Sequence, residues 1–170
     1  MDRLVQVGLL SVRHGSGAVV QKAGGASLAL PYRELISRFP GDREQLLELR
    51  LILEPQLAAL AAERRDDAEA NEIAQKADAG DPDFYVAVAT ASRNLQATQL
   101  VAFLSSSLET TRPLGPRRHE SLDLLRHQRS SVAAAIRARD STSAQDAMAG
   151  HLRTLARLYG HATGAADGGH

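Results

Sequence analysis

Several side chains in this sequence sit where their chemistry demands an account. Arg129 follows Leu125 and precedes Val132 and Ile136 at i, i+4, i+7 and i+11, so a helix would carry it on an apolar face. A guanidinium there needs a partner, and the sequence leaves two open: an internal Asp or Glu, or an anionic ligand. His151 shares a stripe with Met148, Leu155 and Leu158, as a hydrogen-bonded core residue or as a pocket lining. Arg50 has Glu54 at i+4. That spacing reads as a surface ion pair worth a few tenths of a kcal/mol. Asn94 either caps a helix or lines the same pocket. The chemistry open to such a set is binding, because guanidinium groups hold a carboxylate by charge-assisted hydrogen bonds.

Signatures of catalysis are missing: there is no H-E-x-x-H, no G-x-S-x-G, no Walker loop and no carboxylate pair supported by a base. The chain is expected not to be an enzyme; a helical-bundle metalloenzyme is the one enzymatic alternative. Cysteine is absent, which removes disulfides, thiolate metal sites and a thiol nucleophile and fits a cytoplasmic protein. Lys plus Arg equals Asp plus Glu, so no global charge draws the chain to nucleic acid. Any DNA contact needs a local cluster. Arg13, His14 and Gly15 form one, either a cation beside a glycine that can approach phosphate or the minor groove, or a solvated turn. No signal-peptide core and no uncharged apolar run near the ~20 residues of a membrane span are present, so no membrane partner is expected.

The elements that must position these residues are helical. Trp is absent, aromatic residues make up 4%, and Ala and Leu dominate, which calls for an aliphatic helical core. The beginning reads differently. Met1 to Val7 resemble the end of a helix, Gly8 its cap, and LLSV and AVV two short strands around the HGSG turn, the shape of a β-wing. Gln21 to Leu30 read as a glycine-rich linker, and Pro31 opens a short helix that stops at Pro40-Gly41.

From Asp42, paired with Gln45 as in a capping box, an apolar stripe runs through Leu46, Leu49, Leu53, Leu57 and Leu60, with a kink expected at Pro55. A polar helix over 66–79 follows. Asp81-Pro82 predicts an N-cap and first helical residue, leading into Phe84, Val86, Val88 and Ala91. Leu95 to Thr111 is the next helix, and Glu120 to Arg139 and Thr142 to Tyr159 form an antiparallel pair joined at Asp140. The expected fold is all-α, an antiparallel bundle of about six or seven helices behind a short β-wing. The tail, GAADGGH, is expected to be disordered.

Four stretches together, VGLLSVRHGSGAVV, ELRLILEPQLAALAAERR, DFYVAVATASRN and AAIRARDSTSAQDAMAGHL, resemble a GntR-family transcription regulator of the FadR-like group, with its FCD-type effector-binding domain. The resemblance implies residues 1–22 as the remnant of a winged helix, 23–33 as linker, 34–163 as the effector domain and 164–170 as tail. A whole winged helix places three helices before the wing, the third reading bases in the major groove. Here only its last turn is present, so operator binding is expected of the family and not of this chain, with Arg13, His14 and Gly15 as the surviving DNA-contact positions. A homodimer is also implied.

The group's effector domain commonly holds a divalent ion, of the Zn, Ni or Mn kind, with one Asp and three His. Asp81 and His151 match two of the four positions. Tyr85 stands where the D-x-x-x-H histidine belongs, and Arg129 stands eleven residues before Asp140, where the next is expected. His127, two residues off, would point about 200° away. The metal site is therefore degenerate and a metal cofactor disfavoured. Arg50, Asp81, Tyr85, Asn94, Arg129 and His151 become the expected ligand-binding set, for a small or fatty-acid-like carboxylate bound directly. The resulting expectation is a ligand-responsive regulator with an incomplete DNA-binding head. The alternative is a stand-alone ligand-binding or dimerisation module without DNA binding.

Overall fold

The computed structural model describes residues 10–13, 17–20, 43–110 and 119–160, with side chains over 44–106 and 121–158. The chain divides into two compact units, Met1–Asp42 and Arg43–His170. In the first, β1 (Leu10–Arg13) and β2 (Gly17–Val20) pair antiparallel in the register Leu10↔Val20, Ser11↔Val19, Val12↔Ala18 and Arg13↔Gly17. This is the hairpin read around the glycine turn. His14 and Gly15 lie outside the described residues, as do the expected linker, the short helix after Pro31, Asp42 and the tail.

The second unit, over its described residues, is six helices: α1 (Arg43–Arg64), α2 (Asp67–Ala79), α3 (Phe84–Ala91), α4 (Leu95–Thr110), α5 (His119–Arg137) and α6 (Ser141–Gly160). The expectation of an all-α bundle holds. α1 runs without interruption through Pro55. Proline removes one backbone donor from a helix interior, and Pro55 is buried, so packing around it supports the helix where the ladder is weakened. The buried face of α1 differs from the expected leucine stripe. Leu46 and Leu57 are buried, but Leu49, Leu53 and Leu60 are only half-buried, and the inward face is completed by Leu47, Arg50, Glu54, Ala58, Ala61 and Ala62. The reason is steric: alanines let neighbouring helices approach where leucines would hold them apart.

The turns are built by identifiable caps. Asp66 accepts from the Glu69 amide while the Glu69 carboxylate accepts from the Asp66 amide, both at 2.9 Å, a reciprocal capping box at the start of α2. Gly80, at φ 68°, closes that helix in the left-handed conformation that glycine adopts without strain. The predicted N-cap at Asp81 is corrected: α3 begins at Phe84. Asp81 instead organises the turn before it, its carboxylate accepting from the Asp83 amide at 2.8 Å and its carbonyl from the Phe84 amide at 3.2 Å.

Asn94 caps the helix after it, its side-chain oxygen accepting from the Ala97 amide at 3.1 Å at the start of α4. Asp140 holds the α5–α6 turn, accepting from the Ser143 amide at 2.9 Å and its hydroxyl at 2.7 Å. α1 lies along α6, α5 packs on α6 and α2, and α3, eight mostly apolar residues, passes between α1, α2 and α4. Phe84, Tyr85, Val88, Ala89 and Ala91 of α3 are all buried, so α3 carries its side chains straight into the centre of the unit.

Candidate functional site

At that centre, α1, α3, α5 and α6 bring together Arg50, Glu54, Tyr85, Arg129 and His151. Tyr85 is the hub. Its hydroxyl lies 2.7 Å from His151 Nε2 and accepts from Arg129 Nη2 at 3.2 Å, which leaves its own proton for the imidazole. His151 Nδ1 then carries the ring proton and faces Gln128 Oε1 at 3.4 Å. Gln128 passes the chain on, donating at 3.0 Å to Thr154, which also accepts from Arg157 at 3.2 Å and donates to the Gly150 carbonyl at 3.1 Å.

The ring faces of Tyr85 are also used. The Arg50 guanidinium carbon sits 4.1 Å from its centroid and that of Arg129 5.0 Å, while the His151 ring stacks at 5.8 Å and 25°. Cations over an electron-rich face are attracted to it.

His151 is fully buried, and burial first, then the nearby charges of Arg129 and Arg50, lowers its pKa to about 3. It is a neutral acceptor at any physiological pH. Arg50 is 4% exposed and Glu54 2%. The guanidinium grips both carboxylate oxygens, Nε on Oε1 and Nη2 on Oε2, the latter at 3.0 Å. Burial raises the Glu54 carboxyl above its ordinary value, and the charge and hydrogen bonds of Arg50 offset only part of that rise. The two-pronged fork is ion-pair geometry, and Arg50, against the cost of its burial, is held cationic by Glu54. The expected i+4 pair exists, but as a buried pair and not the surface pair of the simple reading.

Arg129 is half-buried and has no carboxylate partner. Its Nη1 donates to the Asp81 carbonyl at 3.1 Å, its Nη2 to Tyr85, and its Nε is buried without any hydrogen-bond partner. Of the two partners left open by the sequence, then, no internal acid lies within ion-pair distance among the described residues, although the charge of Arg129 contributes to holding the Asp81 carboxyl down. Asp81 turns its carboxylate elsewhere, to the Asp83 amide and to Lys76 at 3.3 Å, and that amide foremost holds its pKa down.

A divalent ion does not fit this arrangement. The lone pair that His151 would offer is taken by the Tyr85 hydroxyl, two guanidinium groups stand close by, and no three His, Asp or Glu side chains converge among the described residues. Asn94 is engaged in its cap, His127 is exposed, and Leu158, expected on the His151 stripe, is 41% exposed.

Sequence reasoning missed Gln128 and Thr154. Thr154 lies one turn after His151 on the same face, a polar residue in an apolar stripe, and that was the available signal. A groove of about 370 Å³ lies elsewhere, between α2, α3 and α4, on the side of α3 away from Tyr85. Glu69, Glu72 and Asp83 line it with a single cation, Lys76, so its charge is on balance negative and disfavours a carboxylate.

The match to known proteins agrees with this architecture. The FCD domain family matches residues 45–154, most of the chain and all of the cluster just described. The chain belongs to the FCD domain family. The chain is 27% identical to the HTH-type transcriptional regulator LutR of Bacillus subtilis over 176 residues, 91% of this chain and 79% of that protein. It is 40% identical over 85 residues to an uncharacterized HTH-type transcriptional regulator of Mycobacterium tuberculosis, a match covering 46% of this chain and 35% of that protein.

Among solved structures, Streptococcus agalactiae GntR superposes with a TM-score of 0.71 at 24% identity, covering 92% of this chain and 78% of that one. E. coli McbR/YncC does so at 0.51 and 20%, covering 94% and 81%. At those identities the likeness shows the fold. FCD domains of this class are regulator parts and not enzymes, which agrees with the reading of the sequence. Among the described residues, no helix of the FCD domain is long and apolar enough to cross a membrane.

Proposed function

We propose that this FCD domain is the sensor of a GntR-type transcription regulator and binds a small or fatty-acid-like carboxylate directly, without a metal, on Arg129. The observation that carries the reading is the Nε of Arg129, a buried donor with nothing to donate to beside a guanidinium with no carboxylate partner. An orphaned buried donor is costly, and an anion arriving at it recovers that cost. Tyr85 holds Arg129 in place and is itself held by His151, with Arg50 and Glu54 as a paired group beside the Tyr85 ring. The hairpin of β1 and β2 corresponds to the wing of the DNA-binding head, with Arg13 at the end of β1 as a phosphate contact. The working unit on DNA is a cytoplasmic homodimer whose two heads respond to the effector by a shift in population.

The test is a titration of the purified chain with butyrate and octanoate, followed by intrinsic tyrosine emission, since Trp is absent and Tyr85 is one of three tyrosines. Arg129→Gln is expected to weaken binding at least tenfold, about 1.4 kcal/mol. A stoichiometric divalent ion in the purified protein, retained in His151→Gln, would overturn the metal-free reading.

A further inference from the structure

Several helical serines and threonines of this FCD domain return their hydroxyl to the carbonyl one turn back, as Thr90 does to Val86 at 2.8 Å, Thr98 to Asn94 at 3.0 Å and Ser131 to His127 at 3.1 Å. Ser105 on α4 does not: its Oγ is buried and has no hydrogen-bond partner. A covered polar atom left unpaired is uncommon in a folded chain and calls for a reason. Ser105 lines the groove of about 370 Å³ between α2, α3 and α4, and Pro82, Val86, Ala87 and Ala102 supply the apolar part of that lining.

Around the groove the acids outnumber the cations. Lys76 is shared by Asp81, at 3.3 Å, and Glu72, at 3.9 Å, and the charge of Arg129 also bears on Asp81. Arg93 is shared by Glu69, at 2.9 Å, and Asp66, at 3.3 Å. The carboxylate of Asp83, at the N-cap of α3, makes no cap hydrogen bond and no ion pair among the described residues. From the groove, its charge and its orphaned hydroxyl taken together, we propose that it binds a small organic cation, a protonated aliphatic amine. The ammonium group answers Asp83, Ser105 Oγ accepts a further N–H, and the hydrocarbon rests on Val86, Ala87 and Ala102. A primary ammonium has three donors and no acceptor, which suits a site whose free groups can both accept. The groove shares α3 with the central cluster but lies on the side away from Tyr85, so this site does not depend on the carboxylate reading above.

The experiment is a calorimetric titration of the full chain with butylammonium and with methylammonium in about 0.15 M salt, where attraction to distant exposed charge is screened. Butylammonium is expected to bind roughly tenfold tighter or more, since its longer chain meets the apolar lining. Asp83→Asn is expected to weaken butylammonium roughly tenfold or more. Ala87→Leu fills the groove without altering any charge and is expected to abolish binding. Ser105→Ala is expected to weaken butylammonium about threefold or more and, at the same time, to raise the urea midpoint of the free chain, because it removes a buried hydroxyl without a partner.

Equal affinity for the two amines, or binding indifferent to Ala87→Leu, shows attraction to exposed acids alone and overturns the site, as does no binding of butylammonium at all. If circular dichroism shows Ala87→Leu unfolded, Ala102→Leu fills the groove from α4 and carries the same expectation. Affinity unchanged in Ser105→Ala, or a fall in its urea midpoint, assigns the hydroxyl to the packing of α4 and overturns the proposal.

Discussion

The Tyr85 hydroxyl ties three elements through one oxygen. Tyr85→Phe keeps the ring and removes that oxygen, leaving His151 Nε2 and Arg129 Nη2 each short of a partner. A loss of about 1–3 kcal/mol is expected, measured by urea denaturation. The histidine beside it makes stability depend on pH with a definite sign. Its pKa is about 3 in the folded chain against an ordinary 6.5, so between those values the unfolded chain binds more protons and stability falls as pH falls. The contribution is complete above pH 6.5. His151→Gln, which keeps an acceptor for Tyr85, is expected to flatten the decline in melting temperature between pH 7 and pH 5; an unchanged decline would show that the imidazole is not its source. At this scale the sequence was informative in part. Helical spacing placed Arg129 and His151 on inward faces, because burial follows from period alone. It could not say that the partner of Arg129 is a backbone carbonyl 48 residues away, since such a contact leaves no periodic trace.

Between helices, a second use of arginine holds the frame that the site depends on. Arg65, buried just after α1, donates to the carbonyls of Ile136, at 3.2 Å, and Arg137 at the end of α5. Arg139, at φ 60°, returns across the same seam to the carbonyls of Glu63, at 3.2 Å, and Arg65, at 3.1 Å. Carbonyls at a helix C-terminus lack intrahelical partners and carry partial negative charge, which suits a guanidinium. Arg65→Met is expected to cost roughly 3 kcal/mol, as three charge-assisted hydrogen bonds are lost, one to the exposed Asp67 and two to carbonyls that stay covered. Asp140→Ala removes the cap of α6 and is expected to cost about 1 kcal/mol, read from the chemical denaturation midpoint. Helix ends were legible where a cap announces them, as at Asp66 and Asp140. They were misplaced by two residues at Asp81, where Asp-Pro fits a cap and a preceding turn equally well and only the three-dimensional course of the chain chooses between them.

Across the whole helical unit, alanines set the distances. Ala58, Ala61, Ala62, Ala77 and Ala144 are all fully buried, on three different helices, and α1 and α6 lie along one another. Small side chains bring backbones close and leave the bulk of Tyr85, Phe84 and Met148 to fill the centre. Ala144→Leu is expected to lower stability by about 1–3 kcal/mol through overpacking, visible as a lower melting temperature without loss of helical signal in the cold. The amino-acid sequence by itself determined the class of fold, the order of the helices, the inward direction of Arg129 and His151, and the absence of two of the four histidine and aspartate ligand types from their expected positions. All of these are carried by local period, caps and residue identity. Only the tertiary structure decided that Arg50 and Glu54 are buried together, that Asp81 turns its carboxylate outward, and that Tyr85 joins His151 to Arg129. Charge balance in a core is the sum of groups contributed by separate helices, and that sum exists only once the helices are packed.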